Sequence, residues 1–186
     1  MDFSKKPINL ALWLDADLIQ RQNELKAQFT SVLMEVENSL SAQEFHKISP
    51  KSKGTKLSKG NDLLGYPYQV LDIIRDFDPN NGANIRILNW FGNGLYITVL
   101  LGKGRKNPVT EFREIGFYFG LSENQWDYPD LILNKNYTGK EIEINEASLG
   151  FYHWIIVVDV NPNSFSLKAE LTTLVKKILG ILTLSL

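Results

Sequence analysis

The hydrophobic and polar positions divide the chain into two helical ends and a middle of alternating runs. From Asp17 onward, Leu18, Leu25, Phe29, Val32, Val36 and Leu40 return at three-, four- and seven-residue steps. That spacing predicts a long amphipathic helix ending near Ser41, with Asp17 as N-cap and Gln20 in the capping-box position. Gln20, Asn23, Lys26, Thr30 and Glu37 fall off the stripe, so the helix is expected to cover one face of a sheet. At the other end Leu167, Leu171, Leu174, Ile178 and Ile181 make a second stripe, widened by Val175. A turn at Asn161-Pro162-Asn163-Ser164 precedes it, and Ser164 or Ser166 is placed to cap it. The apolar tail beyond Gly180 either packs on the core or meets another chain.

Between the helices the period falls to two. Gln69–Phe77 reads as a strand, followed by a turn at Asp78-Pro79-Asn80-Asn81-Gly82. Asp76, Asp78 and Asn80 resemble the start of a calcium loop, but Asn81 stands where glycine is needed and Ile87 where the closing glutamate is needed. The segment Phe112–Leu121 alternates Ile115, Phe117, Phe119 and Leu121 with smaller or polar residues. A helix starting at Thr110 would hold two interior glycines at about 1 kcal/mol each, so a strand is expected. Residues 122–139 look like a long connection with a short strand at Leu131–Leu133. Lys140–Asn145 and Phe151–Val160 read as further strands, the latter the most apolar and central.

The middle of the chain is dominated by Asn84–Leu101. Asn93-Gly94 suits a two-residue type I′ turn because both positions tolerate positive φ. Counting outward pairs Phe91 with Tyr96, Trp90 with Ile97, Asn89 with Thr98 and Leu88 with Val99. Both faces of this hairpin are apolar, so both should be covered by helices, strands or a partner. Asn89 and Thr98 break the pattern, either as a cross-strand hydrogen bond or as the polar floor of a pocket walled by Phe91 and Tyr96.

The order helix, five or six strands, helix, with short connections, predicts an α+β fold: an antiparallel meander flanked by the two terminal helices. With 186 residues, one domain is expected. A net charge of −1 supplies no global field to recruit nucleic acid or membrane. The absence of cysteine excludes disulfides, thiolate metal sites and thiol nucleophiles. With only His46 and His153, no three-histidine centre exists. No cofactor motif is present, and no signal peptide or membrane span is read, which makes a cytoplasmic location the expectation.

One composition shift stands out. Lys47, Lys51, Lys53, Lys56 and Lys59 are interleaved with glycine, serine and proline over residues 47–60, which predicts a mobile loop. The spacing does not fit a phosphate loop.

Three functional readings follow. The first is a binding or interaction module, self-associating or paired with another protein, carried by an aromatic-rich sheet. The second is an enzyme for a small phosphorylated ligand, held by Lys53, Lys56, Lys59, Arg105 and Lys106, with Asp72, Asp76 or His153 moving a proton. His153 shares a face with Phe151 and Ile155, where packing is the ordinary role. The third is single-stranded nucleic-acid binding, disfavoured by the near-neutral charge.

Overall fold

A computed structural model describes residues 7–160 and 167–185. The Asn161–Ser164 turn and the caps Ser164 and Ser166 lie outside the described residues. The elements are α1 (Leu10–Trp13), α2 (Ala16–Asn38), α3 (Ala42–Ile48), β1 (Lys56–Leu63), β2 (Tyr66–Asp76), β3 (Ala83–Trp90) and β4 (Gly94–Gly102). There follow α4 (Val109–Glu114), β5 (Tyr118–Gly120), α5 (Tyr128–Leu133), β6 (Tyr137–Thr138), α6 (Glu141–Glu146), β7 (Phe151–Val157) and α7 (Leu167–Leu184). Seven strands form one antiparallel sheet in the order β1-β2-β3-β4-β7-β5-β6. The class is α+β, with the N-terminal and C-terminal helices in place. No helix of the described residues is long and apolar enough to cross a membrane.

Side-chain alternation gives the sheet two unequal faces. Leu71, Ile85, Ile87, Ile97, Val99 and Trp154 point to one side, where they join Leu33 and Val36 of α2, Phe45 and Ile48 of α3, and the buried row of α7. Val70, Leu88, Trp90, Tyr96 and Ile155 point to the other, where Tyr128, Leu131 and Ile132 of α5 cover them. Both faces of the central hairpin are therefore covered from within the chain. In α7 the buried residues are Leu171, Val175, Ile178, Leu179 and Leu182. The stripe is thus turned slightly from the expected one, and the apolar tail through Leu182 packs on the core.

The hairpin register differs from the expected one. Trp90 faces Gly94, Asn89 faces Leu95 and Leu88 faces Tyr96, so the loop is Phe91-Gly92-Asn93. Gly92 takes the positive φ, at 81°, while the Asn93 N–H donates to the Trp90 carbonyl at 2.9 Å. The Phe91 N–H is drawn to the Pro67 carbonyl at 3.1 Å, which anchors the loop to β2. Because the register moves by an odd number of residues, Asn89 and Thr98 lie on opposite faces. They are neither a cross-strand pair nor a shared floor.

Four other segments depart from the simple alternation. Residues 112–121 are the last turn of α4 followed by β5. Gly116, with φ 92°, ends the helix, and the Phe117 N–H donates to the Phe112 carbonyl and the Gly116 N–H to that of Arg113 in a Schellman arrangement. Leu131–Leu133 belongs to α5, capped by Asp127, which accepts from the Asp130 N–H. Glu141–Glu146 is helical; Ile144 is buried while Ile142 is exposed. The lysine-rich stretch 47–60, read as one loop, is divided: Lys47 lies in the last turn of α3, and Lys56 and Lys59 lie on edge strand β1. The cap of α2 is Asp15 rather than Asp17, accepting from the Leu18 N–H at 3.0 Å.

Candidate functional site

The expected site residues do not converge on one place. Asn89 is on the helix-covered face, where its amide approaches Gln69 Oε1 at 3.4 Å. Phe91 is in the hairpin turn and packs edge-on against Phe29, with ring centroids 5.7 Å apart. Tyr96 lies on the opposite face and donates to the Asn93 carbonyl at 2.6 Å. Lys53 interacts through its backbone: its carbonyl accepts from Arg75 Nη2 at 2.8 Å. Lys56 and Lys59 extend from β1. Arg105 is committed to structure, donating to the carbonyls of Asn81 and Ile48 at 2.7 and 2.6 Å. Its partial burial holds its pKa below the ordinary arginine value. Asp76 accepts from the Ser49 hydroxyl at 2.6 Å.

Three of the named residues, Asp72, Thr98 and His153, do share a neighbourhood on the α5 side. Asp72, Arg86, Thr98 and Ile155 form one cross-strand row over β2, β3, β4 and β7. Arg86 meets both oxygens of Asp72, Nη1 donates to the Tyr128 hydroxyl at 2.9 Å, and the Trp126 ring lies 5.3 Å from its guanidinium carbon. Asn84 donates to Asp72 Oδ1 at 3.1 Å and to the Ile74 carbonyl at 2.8 Å. Burial works against the charge of Arg86, but Tyr128 and Asp72 outweigh it, and its pKa is raised. Burial raises the Tyr128 pKa, with Arg86 opposing.

His153 sits beside this network, edge-on to Tyr128 and Phe151 at 6.2 Å. Burial, with Arg86 nearby, pushes its pKa down to about 4. Its Nδ1 is buried and has no hydrogen-bond partner among the described residues. The ring is a neutral, packed group at pH 7. The cluster is a buried ion pair whose oxygens and guanidinium nitrogens are engaged from within the chain.

The accessible feature is at the N-terminus. Every residue from Pro7 to Leu25 is exposed. Asn9 caps α1 by accepting from the Leu12 N–H at 3.0 Å, and the chain turns at Leu14 into α2. Of the 23 residues of α2, the fully buried ones are Leu33 and Val36; the stretch through Leu25 is an exposed arm. Leu12, Trp13, Leu18, Ile19, Gln22 and Leu25 line an open hollow of about 910 Å³ between α1 and α2. Trp13 is 66% exposed, Leu18 46% and Leu25 44%. The stripe seen in the sequence is real, but its first two members, Leu18 and Leu25, are exposed, and its contact with the sheet begins with Phe29 against Phe91.

No protein-family model, no curated protein and no solved structure matches the chain.

Proposed function

We propose that the protein is a self-associating interaction module whose N-terminal helical arm packs against the arm of a second copy. The observation that carries this reading is the exposed apolar row Leu12, Trp13, Leu18, Ile19 and Leu25, which among the described residues lines a hollow formed by α1 and α2 alone. Soluble monomers rarely expose contiguous apolar patches of this kind. Helix α1, of four residues, has little stability of its own in water and gains it from packing.

The area supports a second copy as the occupant. The large apolar residues of the arm, from Ile8 to Leu25, leave exposed the equivalent of between four and five whole side chains. The row itself accounts for about half of that, enough for the apolar centre of an interface to which each partner contributes ~800 Å² in a standard case. Asp15, Asp17 and Glu24 against Arg21 leave the edge of the arm net acidic, with Arg21 paired to Asp17 at 3.5 Å, so added salt is expected to strengthen the association.

The test is the molar mass by light scattering at micromolar concentration, for the wild type and for Leu12→Ser/Leu18→Ser/Leu25→Ser. A dimeric wild type and a monomeric variant with an unchanged melting curve are expected. A monomeric wild type overturns the proposal, and so does a variant that remains dimeric.

A further inference from the structure

A second feature lies where α2 crosses β1 and β2 beside the hairpin turn. It is a cleft of about 230 Å³, lined among others by Lys26 and Thr30 of α2, Lys59 and Asn61 of the β1 strand, Gln69 of β2, and Phe91 of the turn. The cleft brings together two of the residues singled out in the sequence, Lys59 and Phe91, that nothing else in the fold uses jointly.

Its charge is one-sided. No carboxylate lines it, although the chain as a whole carries one more acidic than basic residue. Neither Lys26 nor Lys59 has an ion-pair partner among the described residues. Two lysines on the lining of one small cleft bring positive charge to it, which an anion placed there would neutralise. Lysine suits this role, being a compact charge with three donors on a mobile stem.

The floor is fixed. Gln69 is 2% exposed, and its amide donates to the Lys26 carbonyl at 2.8 Å and to Thr30 Oγ1 at 2.9 Å, tying helix to sheet. Phe91, which lines the cleft, is held by its edge-on contact with Phe29 and by its own N–H on the Pro67 carbonyl, so an aromatic ring is already in place. The volume falls below the roughly 300–1,000 Å³ of sites for drug-sized ligands, which restricts the occupant to about one ring and its charged substituent.

We propose that this cleft binds a small aromatic anion, a single-ring carboxylate or phosphomonoester, with its charge at Lys26 and Lys59 and its ring against Phe91. The proposal does not depend on the arm. Titration calorimetry with phenyl phosphate, benzoate and inorganic phosphate tests it, on the wild type, Lys26→Ala/Lys59→Ala, Phe91→Ala and the exposed control Lys56→Ala. At least one aromatic anion is expected to bind one per chain, about tenfold or more tighter than inorganic phosphate. Phenyl phosphate alone binding assigns the phosphomonoester, and benzoate alone assigns the carboxylate.

Binding is expected to disappear in the double lysine variant, to weaken about tenfold in Phe91→Ala and to weaken with added salt, while Lys56→Ala stays within about twofold. Melting curves establish that each variant is folded. No heat with either aromatic anion, or equal affinity for inorganic phosphate, overturns the proposal. So does undiminished binding in the folded double variant. The same titration on the monomeric arm variant separates this site from self-association.

Discussion

Arg86 and Asp72 meet edge to edge across neighbouring strands, with Nε 2.7 Å from Oδ1 and Nη2 3.1 Å from Oδ2. Their side chains are 14% and 8% exposed, so neither charge has enough water to stand alone. Removing one partner from such a pair costs about 3–5 kcal/mol, while replacing both with apolar groups of similar size is close to neutral. Arg86→Met is therefore expected to lose that amount in urea denaturation, and Asp72→Leu/Arg86→Met to recover most of it. A double variant as unstable as the single one would refute the assignment.

His153 makes stability depend on pH. Its pKa is near 4 in the folded chain against 6.5 for a free side chain. As pH falls through 6.5 the unfolded chain takes up a proton that the folded chain refuses, so stability is lost down to about pH 4 and then levels off. Between pH 7.5 and pH 5 this amounts to about 2 kcal/mol. The difference in urea midpoint between those two pH values should shrink markedly in His153→Gln.

Leu25 and Leu33 lie two turns apart on α2 and should respond in opposite ways. Leu33 is completely buried, and Leu33→Ala is expected to cost about 2–5 kcal/mol of unfolding free energy. Leu25 is 44% exposed, and Leu25→Ala should stay within about 0.5 kcal/mol at concentrations too low for association. Chemical denaturation of the two variants side by side is sufficient.

Gly102 allows the end of β4 to pass close to the turn after β2. A Cβ there would lie 2.4 Å from the Asn80 carbonyl oxygen, which is backbone and cannot swing away. Gly102→Ala should lower stability by about 1–3 kcal/mol. Gly150→Ala, where a Cβ meets nothing within 4 Å, serves as the neutral comparison in a thermal melt.

Long periodic segments were legible in the sequence and short capped ones were not. The stripe over α2, the runs of β2 to β4 and β7, and the stripe of α7 each repeat often enough for period to decide the element. Helices α3 and α5 are too short for period, yet their ends carry signals. Ser41 and Glu44 form a capping box, and Asp127 with Pro129 in the first turn marks a helix start. Strand β1 has no apolar face to reveal because it borders the sheet, where lysines are tolerated and discourage further pairing.

The hairpin was misregistered for a different reason: Asn-Gly permits a two-residue turn, but Phe91 gains a backbone partner on β2 only in the longer loop. The sites were least visible. That Lys26 and Lys59 share a cleft depends on where α2 crosses β1. That Leu18 and Leu25 are bare depends on where the sheet stops. Neither is written in local spacing.

The placing of β7 sets a timetable for the nascent chain. Strands β1 to β4 can zip together in the order in which they emerge, each beside its predecessor. Strand β4 then waits with one row of N–H and C=O groups open until Phe151 arrives, while β5 and β6 pair with nothing in the earlier strands. For that interval the future centre of the sheet is an apolar edge, the kind of surface on which growing chains adhere to one another. A translation product that stops before β7 would leave two unconnected fragments of sheet, so β7, the last of the described strands, is the one that joins the halves.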